Sequence, residues 1–185
     1  MRKLVAGFAA SVDGYIEGPN KEYDWIIIDK EIDFAEHAKR FDAYFFGRNT
    51  YEMVLPMGGK ATPGIKNYVF SNTLTTVHKN YELVTGDLKT HVTTIKQQEG
   101  KDIAVFGGAS LLASLLDLNL VDEISISFIP VMLGQGKPMV DVLTQKVWLK
   151  YLSSKSYANG TLIVTYEIEP PKSKRAKKEK RENKG

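Results

Sequence analysis

The sequence predicts an α/β fold: a mostly parallel central sheet with helices on both faces and a C-terminal antiparallel hairpin. Three observations carry this. First, Lys101 to Pro138 runs from a charged edge into the apolar stretch Ile103-Ala104-Val105-Phe106, then Gly107-Gly108, a helical pattern, and a β-rich run from Glu123 to Val131. Strand, glycine turn, helix, strand is the grammar of a βαβ unit. Second, short apolar runs alternate with segments of helical period along most of the chain. Third, Asn159-Gly160 ahead of Thr161 to Ile168 is a hairpin signal, which adds antiparallel strands at one edge.

Taken in order, Lys3 to Ala10 reads as a central strand, because both of its faces are apolar. Residues 11–20, SVDGYIEGPN, have turn chemistry throughout. Trp25 to Ile28 is apolar, and Asp29 to Arg40 has helical spacing at Ile32, Ala35, Glu36 and Lys39. Ala43 to Phe46 is a short buried strand that meets Gly47, and Arg48 to Val54 is a helix begun directly after that glycine. Pro56 to Gly64 is a surface loop rich in Gly and Pro. Asn67 to Ser71 and Glu82 to Val84 are strands, and Leu88 to Gln98 is a helix closed by Gly100. After the central βαβ unit, Gly134 to Pro138 is a loop, and Trp148 to Tyr157 alternates weakly before the terminal hairpin.

A chain of 185 residues with 43% hydrophobic content is read as one domain with a proper core. No cysteine is present, which excludes disulfides and thiolate metal sites and fits a reducing cytoplasm. The apolar run near the N-terminus is broken by Ser11, Asp13 and Gly14, so it reads as a first strand rather than a signal peptide. No segment approaches the length of a membrane span. The net charge of +3 divides unevenly: from Pro170 onward eight Lys/Arg stand against two Glu, which leaves the body at −3. Residues 1–169 are therefore expected to form the domain and 170–185 a basic, disordered tail. The tail has no aromatic residue to stack on a base, so any nucleic-acid contact through it is expected to be weak.

Ligands of open α/β sheets sit beyond the carboxyl ends of the strands. Three such ends carry suitable chemistry. Gly47-Arg48-Asn49-Thr50 offers a guanidinium, a hydroxyl and a helix start to a phosphate. Ser71-Asn72 offers hydrogen bonds to a ribose or its phosphate, and Gly107-Gly108-Ala109-Ser110 permits close backbone approach. The histidines, His37, His78 and His91, have no ligand spacing, so no metal site is expected. No GxSxG elbow, Walker lysine loop, deaminase zinc signature or GxGxxG fingerprint occurs. A hydride-transfer enzyme needs little from its side chains, and this sequence shows no nucleophile–base pair.

SVDGYIEG (11–18), FFGRNTYE (45–52), PGIKNYVFS (63–71), VFGGASLLASLL (105–116) and LVDEISISFIPVMLGQGKP (120–138) together resemble the dihydrofolate-reductase-like superfamily. More closely, they resemble stand-alone relatives of the reductase domain of bacterial riboflavin biosynthesis, over Lys3 to about Glu169. The resemblance implies a dihydrofolate-reductase-like three-layer fold, NADPH as hydride donor, a small heterocyclic substrate and a homodimer joined at C-terminal strands. It implies that Arg48 and Thr50 hold cofactor phosphates, that Ser71 meets the adenosine 2′-phosphate, and that Gly107, Gly108, Ala109, Ser110 and Leu111 form the pyrophosphate turn. The backbones of Ala9 and Ile16 match those that hold the nicotinamide carboxamide, with Asp13 in the loop nearby. Trp25 would flank the substrate, and Ser127 matches a strand Thr that supports the active-site acid. That acid stays open among Asp29, Glu31 and Asp33; Asp13 and Asp33 are the catalytic candidates. The sequence departs from the folate enzymes at Ile65, where they carry an Arg for the folate glutamate carboxylate, and at Ser110, often an Arg. An Ile cannot replace a charge-assisted pair, which argues against folate. The function expected is thus an NADPH-dependent reductase most like 5-amino-6-(5-phosphoribosylamino)uracil reductase. The alternatives are a pterin reductase of the dihydrofolate reductase type or a non-catalytic nucleotide-binding module.

Overall fold

The computed structural model describes residues 1–56 and 64–170. Residues 57–63 of the expected surface loop and 171–185 of the basic tail lie outside the described residues. In chain order the elements are β1 (Leu4–Ser11), β2 (Tyr15–Glu17), α1 (Phe34–Ala38), β3 (Phe41–Gly47), α2 (Arg48–Val54), β4 (Lys66–Phe70) and β5 (Glu82–Val84). There follow α3 (Leu88–Gln97), β6 (Asp102–Gly107), α4 (Ala109–Asp117), β7 (Glu123–Ile129), β8 (Lys137–Pro138), β9 (Trp148–Ser156) and β10 (Leu162–Glu169).

Eight strands form one sheet in the order β5-β4-β3-β6-β1-β7-β10-β9. β1 lies centrally between β6 and β7, parallel to both. The strands from β5 across to β7 are all parallel, and β10 and β9 join antiparallel as the terminal hairpin. Alternation along the strands sorts their side chains into two layers. Leu4 and Ala6, Ala43 and Phe45, Tyr68, and Ile103 and Val105 face one side, with Val92 and Ile95 of α3 and Leu112, Leu115 and Leu116 of α4. Val5 and Ala104 face the other with Phe41, and Phe46 and Val69 pack there against Tyr51 of α2. The molecule is therefore three-layered, as expected.

Two elements depart from the sequence reading. The helix expected over Asp29 to Arg40 is present only as α1, five residues long, with no residue buried. Asp29 and Asp33 spend their carboxylates on local amides, those of Glu31 (2.9 Å) and Glu36 (2.8 Å), which favours turns and caps over a longer helix. The stretches read as loops at 11–20 and 134–138 instead pair with each other, as the two-stranded β2–β8 ribbon. Gly136 makes this possible: its φ is +151°, and a Cβ there would lie 2.1 Å from the Glu17 carbonyl oxygen.

An ion-pair network closes the end of the sheet where β1, β3, β6 and β7 begin. Arg2 pairs with Asp42, Arg40 bridges Asp102 and Glu123 at 2.7 Å each, and Lys3 reaches Glu123 at 2.5 Å. The opposite end carries the glycine turns.

Candidate functional site

A cleft of about 310 Å³ opens beyond the carboxyl ends of β3, β4 and β6. Its walls include Gly47 and Arg48 after β3, Phe70 and Ser71 at the end of β4, and Gly108, Ala109, Ser110 and Leu111 after β6. The three strand ends singled out in the sequence thus converge on one space. Parallel neighbours β4, β3 and β6 place them side by side: Gly47 pairs with Phe70 on one flank, and Phe46 with Gly107 on the other.

The β3 and β6 turns pack closely, and it is backbone conformation at the second that demands glycine. A Cβ on Gly47 would lie 3.4 Å from the Leu111 Cβ and 3.7 Å from the Gly107 carbonyl oxygen. Gly107 and Gly108 have φ of +148° and +106°, which side-chain-bearing residues rarely adopt. Gly108 is the N-cap of α4, and no side-chain hydrogen bond caps the start of that helix among the described residues. Thr50 abuts the turn, with its Oγ1 3.5 Å from the Cβ positions of both glycines.

Polar groups around the cleft are oriented by local bonds. Arg48 donates from Nη1 to the Thr73 hydroxyl (2.9 Å) and has Nε 3.3 Å from Glu52, which leaves its guanidinium half exposed at the cleft wall. The Ser71 hydroxyl accepts from the amides of Thr73 (3.2 Å) and Leu74 (3.1 Å), a turn that fixes its position. Ser110 donates to Asp141 at 2.9 Å. The Val142 amide, the Ser110 hydroxyl and the nearby Lys137 ammonium hold the Asp141 carboxyl below its ordinary value. Lys137, on β8, also lines the cleft.

The remaining candidates lie elsewhere. Ala9 pairs with Ser127 across β1 and β7, and Ile16 sits on the ribbon, packed against the main core. Trp25 donates from Nε1 to the Glu22 carbonyl at 3.2 Å and does not line the cleft. Both catalytic candidates stand outside the cleft lining and make local hydrogen bonds. The Asp13 carboxylate accepts from the Ser11 hydroxyl (2.6 Å) and from the amides of Leu133 (3.1 Å) and Gly134 (2.7 Å). Those bonds, that of Ser11 foremost, hold its carboxyl below the usual range and make it a clasp between two loops. Asp33 caps the exposed helix α1 and reaches neither the cleft nor the sheet. Of the acids left open, Asp29 is tied to the hairpin through the Asn159 amide at 3.2 Å.

Sequence reasoning also missed a trough beside the glycine turn, on the sheet face opposite α3 and α4. Its floor is Gly7 and Ala9 of β1 with their partners Ser125 and Ser127 of β7. A Cβ on Gly7 would meet nothing within 4 Å. Phe106, 50% exposed immediately before Gly107, forms one wall with Tyr44, the ring centroids 6.1 Å apart. The Ser125 hydroxyl lies 3.1 Å from that of Thr165 on the other side. Small residues at alternate positions of two runs, Gly7/Ala9 and Ser125/Ser127, were the available signal; their pairing was not. An open floor with an aromatic wall and hydroxyls suits a flat heterocycle, and the cleft alongside suits an anionic nucleotide.

Comparison with known proteins agrees with this geometry. The profile of the RibD C-terminal domain family matches residues 2–163. The uncharacterized protein YyaP of Bacillus subtilis is 30% identical over 177 residues, covering 89% of this chain and 94% of YyaP. A Shewanella sp. PV-4 protein named for riboflavin biosynthesis superposes with a TM-score of 0.80 at 26% identity, over 91% of this chain and 99% of that one. A dihydrofolate reductase from Enterococcus faecalis, in complex with NADP(H) and RAB-propyl, superposes with a TM-score of 0.67 at 15% identity, over 91% and 97% of the two chains. The fold is dihydrofolate-reductase-like.

Proposed function

This chain belongs to the RibD C-terminal domain family, and from that premise we propose that it is an NADPH-dependent reductase of a small heterocycle, most like 5-amino-6-(5-phosphoribosylamino)uracil reductase. The observation that carries the reading is the convergence of Arg48, Ser71 and Gly108 on one cleft. The cradle fits a dinucleotide: three glycines keep the β3 and β6 turns free of side chains, and α4 starts without a side-chain cap. Arg48 and Ser71 would hold the 2′-phosphate, and Gly107 through Leu111, with Thr50, the pyrophosphate. Ala9 and Ile16 would orient the nicotinamide by their backbones, above the trough. When bound, the cofactor supplies the hydride. The chain's own residues orient the acceptor ring against Phe106 and over Gly7 and Ala9, with Ser125, Ser127 and Thr165 as hydrogen-bonding groups.

Ile65, at the start of the segment leading into β4, favours a pyrimidine acceptor over folate, because it cannot pair with a glutamate carboxylate. The direct test is consumption of NADPH in the presence of the aminopyrimidine substrate, with dihydrofolate in parallel. Turnover of the pyrimidine supports the reading. Saturable reduction of dihydrofolate at low micromolar concentration would replace it with the folate assignment. No saturable fluorescence response to either NADPH or NADH would remove the reductase reading altogether. The exposed apolar residues of β9 favour a homodimer formed through the C-terminal strands.

A further inference from the structure

Lys137 has no part in the assignments above. It stands on β8, which among the described residues pairs only with β2, so it belongs to the ribbon and not to the eight-stranded sheet. The ribbon reaches the cleft because two features fix its path. The Asp13 carboxylate binds the Leu133 and Gly134 amides just before β8, and bare Gly136 lets β8 pass against the Glu17 backbone. Both deliver the side chain that follows Gly136 to the cleft wall.

Among the described residues the cleft is lined by two cations, Arg48 and Lys137. They differ in position and in partners. Arg48 is engaged by Thr73 and Glu52 on the side of the β4 end. Lys137 is in no ion pair among the described residues, and its ammonium lowers the pKa of the nearby Asp141 carboxyl, which is bonded to Ser110 two residues beyond Gly108. Its ammonium therefore serves the α4 side of the cleft, where the glycine turn leaves room for an anion. A half-buried cation that lines the same cleft as Gly108, with Asp141 nearby already bonded to Ser110, is an arrangement that a polyphosphate can complete.

We propose that Lys137 is a phosphate-binding residue of the cleft that contacts the diphosphate bridge common to NADPH and NADH, while Arg48 answers to the 2′-phosphate found only in NADPH. This deepens the cofactor reading above and rests on it for the dinucleotide. The claim that Lys137 binds a diphosphate can be tested apart from it. Because β8 carries Lys137, bound diphosphate also ties the β2–β8 ribbon to the main sheet.

The test measures binding of NADPH, NADH and inorganic pyrophosphate to the full chain and to its Lys137→Gln, Lys137→Arg and Arg48→Ala variants, by calorimetry. Lys137→Gln is expected to weaken NADPH and NADH alike by about tenfold or more, the loss of one charge-assisted bond, and to weaken pyrophosphate with them. Lys137→Arg restores most of the affinity, which separates a charge contact from a packing role. Unchanged binding in Lys137→Gln, or a loss confined to NADPH, overturns the assignment. Wild-type protein that binds pyrophosphate through Lys137 but neither dinucleotide would keep the anion site and discard the cofactor reading. Wild-type protein that binds NADPH but is indifferent to Lys137→Gln would do the reverse. If wild-type protein binds none of the three, both fall.

Discussion

At the scale of the residue, the proposed site separates side chains open to a ligand from side chains that hold the frame. Arg48 belongs to the first group. Its guanidinium is half exposed and already aimed by Thr73 and Glu52, so little ordering remains to be done on binding. Arg48→Ala should weaken NADPH by about 1–3 kcal/mol and leave NADH nearly unchanged, as read by the ratio of the two dissociation constants. Asp13 belongs to the second group, and pH distinguishes the roles. Its folded carboxyl is held below the ordinary value of 3.8, chiefly by the Ser11 hydroxyl, so the clasp contributes in full above that value and is lost as pH falls through the depressed one. Asp13→Ala should therefore lower thermal stability at pH 7, and the gap from wild type should close as pH falls below 3.8. A gap that instead closed between pH 5 and 8 would return Asp13 to the role of a titrating acid.

At the scale of the element, the glycines at the two ends of the site predict different failures. Gly108→Ala places a methyl 3.5 Å from Thr50 Oγ1, an ordinary contact, so its cost is backbone strain at φ +106°. About 1–3 kcal/mol of stability should be lost, measured by denaturant unfolding, together with cofactor affinity. Gly136→Ala instead collides with the Glu17 carbonyl, and β8 must leave β2. Amide exchange at 15–17 and 137–138 should rise while the main sheet keeps its protection, and NADPH affinity should fall as in Lys137→Gln. The same contrast explains what was legible in the sequence. β1, β3, β4, β6 and β7 are short apolar runs punctuated by glycine, serine or a polar break, so both the strands and the cleft-lining residues at their ends could be read from composition and period. The convergence of Arg48, Ser71 and Gly108 followed from the parallel order of those strands. β2 and β8, at three and two residues, are too short for a period-2 pattern, and they exist through a pairing over more than a hundred residues of sequence. Lys137, Phe106, Ser125 and Thr165 were hidden for the same reason: each acquires meaning only from its register or from its neighbour across the sheet. The helix read over 29–40 failed in the opposite way, since its period was present but no partner surface holds it beyond α1.

At the scale of the whole molecule, the two ends of the sheet do different work. The ion-pair end is structural. Glu123 is 5% exposed; burial pushes its carboxyl up, but the bonds from Lys3 and Arg40 outweigh burial and hold it below its ordinary 4.5. Its contribution is present above that value and lost as pH falls through the lowered one, so acid should unfold the protein partly through this group. Glu123→Gln should cost roughly 3 kcal/mol at pH 7, the low end for removing one partner of a buried pair, because Lys3 and Arg40 keep contact with water. The lateral edge of the sheet poses a different problem. Among the described residues β9 pairs with β10 alone; it is nine residues long and exposed throughout, with Tyr151 at 59% and Leu149 and Leu152 at 41% and 43%. An edge strand of that length carrying large apolar residues is a template for association unless something covers it. A second copy of the chain is the cover expected from the family, and two-fold pairing would bury both edges at once. Light scattering at micromolar concentration should then give about twice the 20.7 kDa chain mass. The double variant Tyr151→Glu with Leu152→Lys should give the single-chain mass with unchanged far-ultraviolet circular dichroism, since neither side chain is buried in the chain itself. A single-chain mass for wild-type protein would leave β9 an uncovered edge, and that outcome would count against the dimer at any site on the molecule.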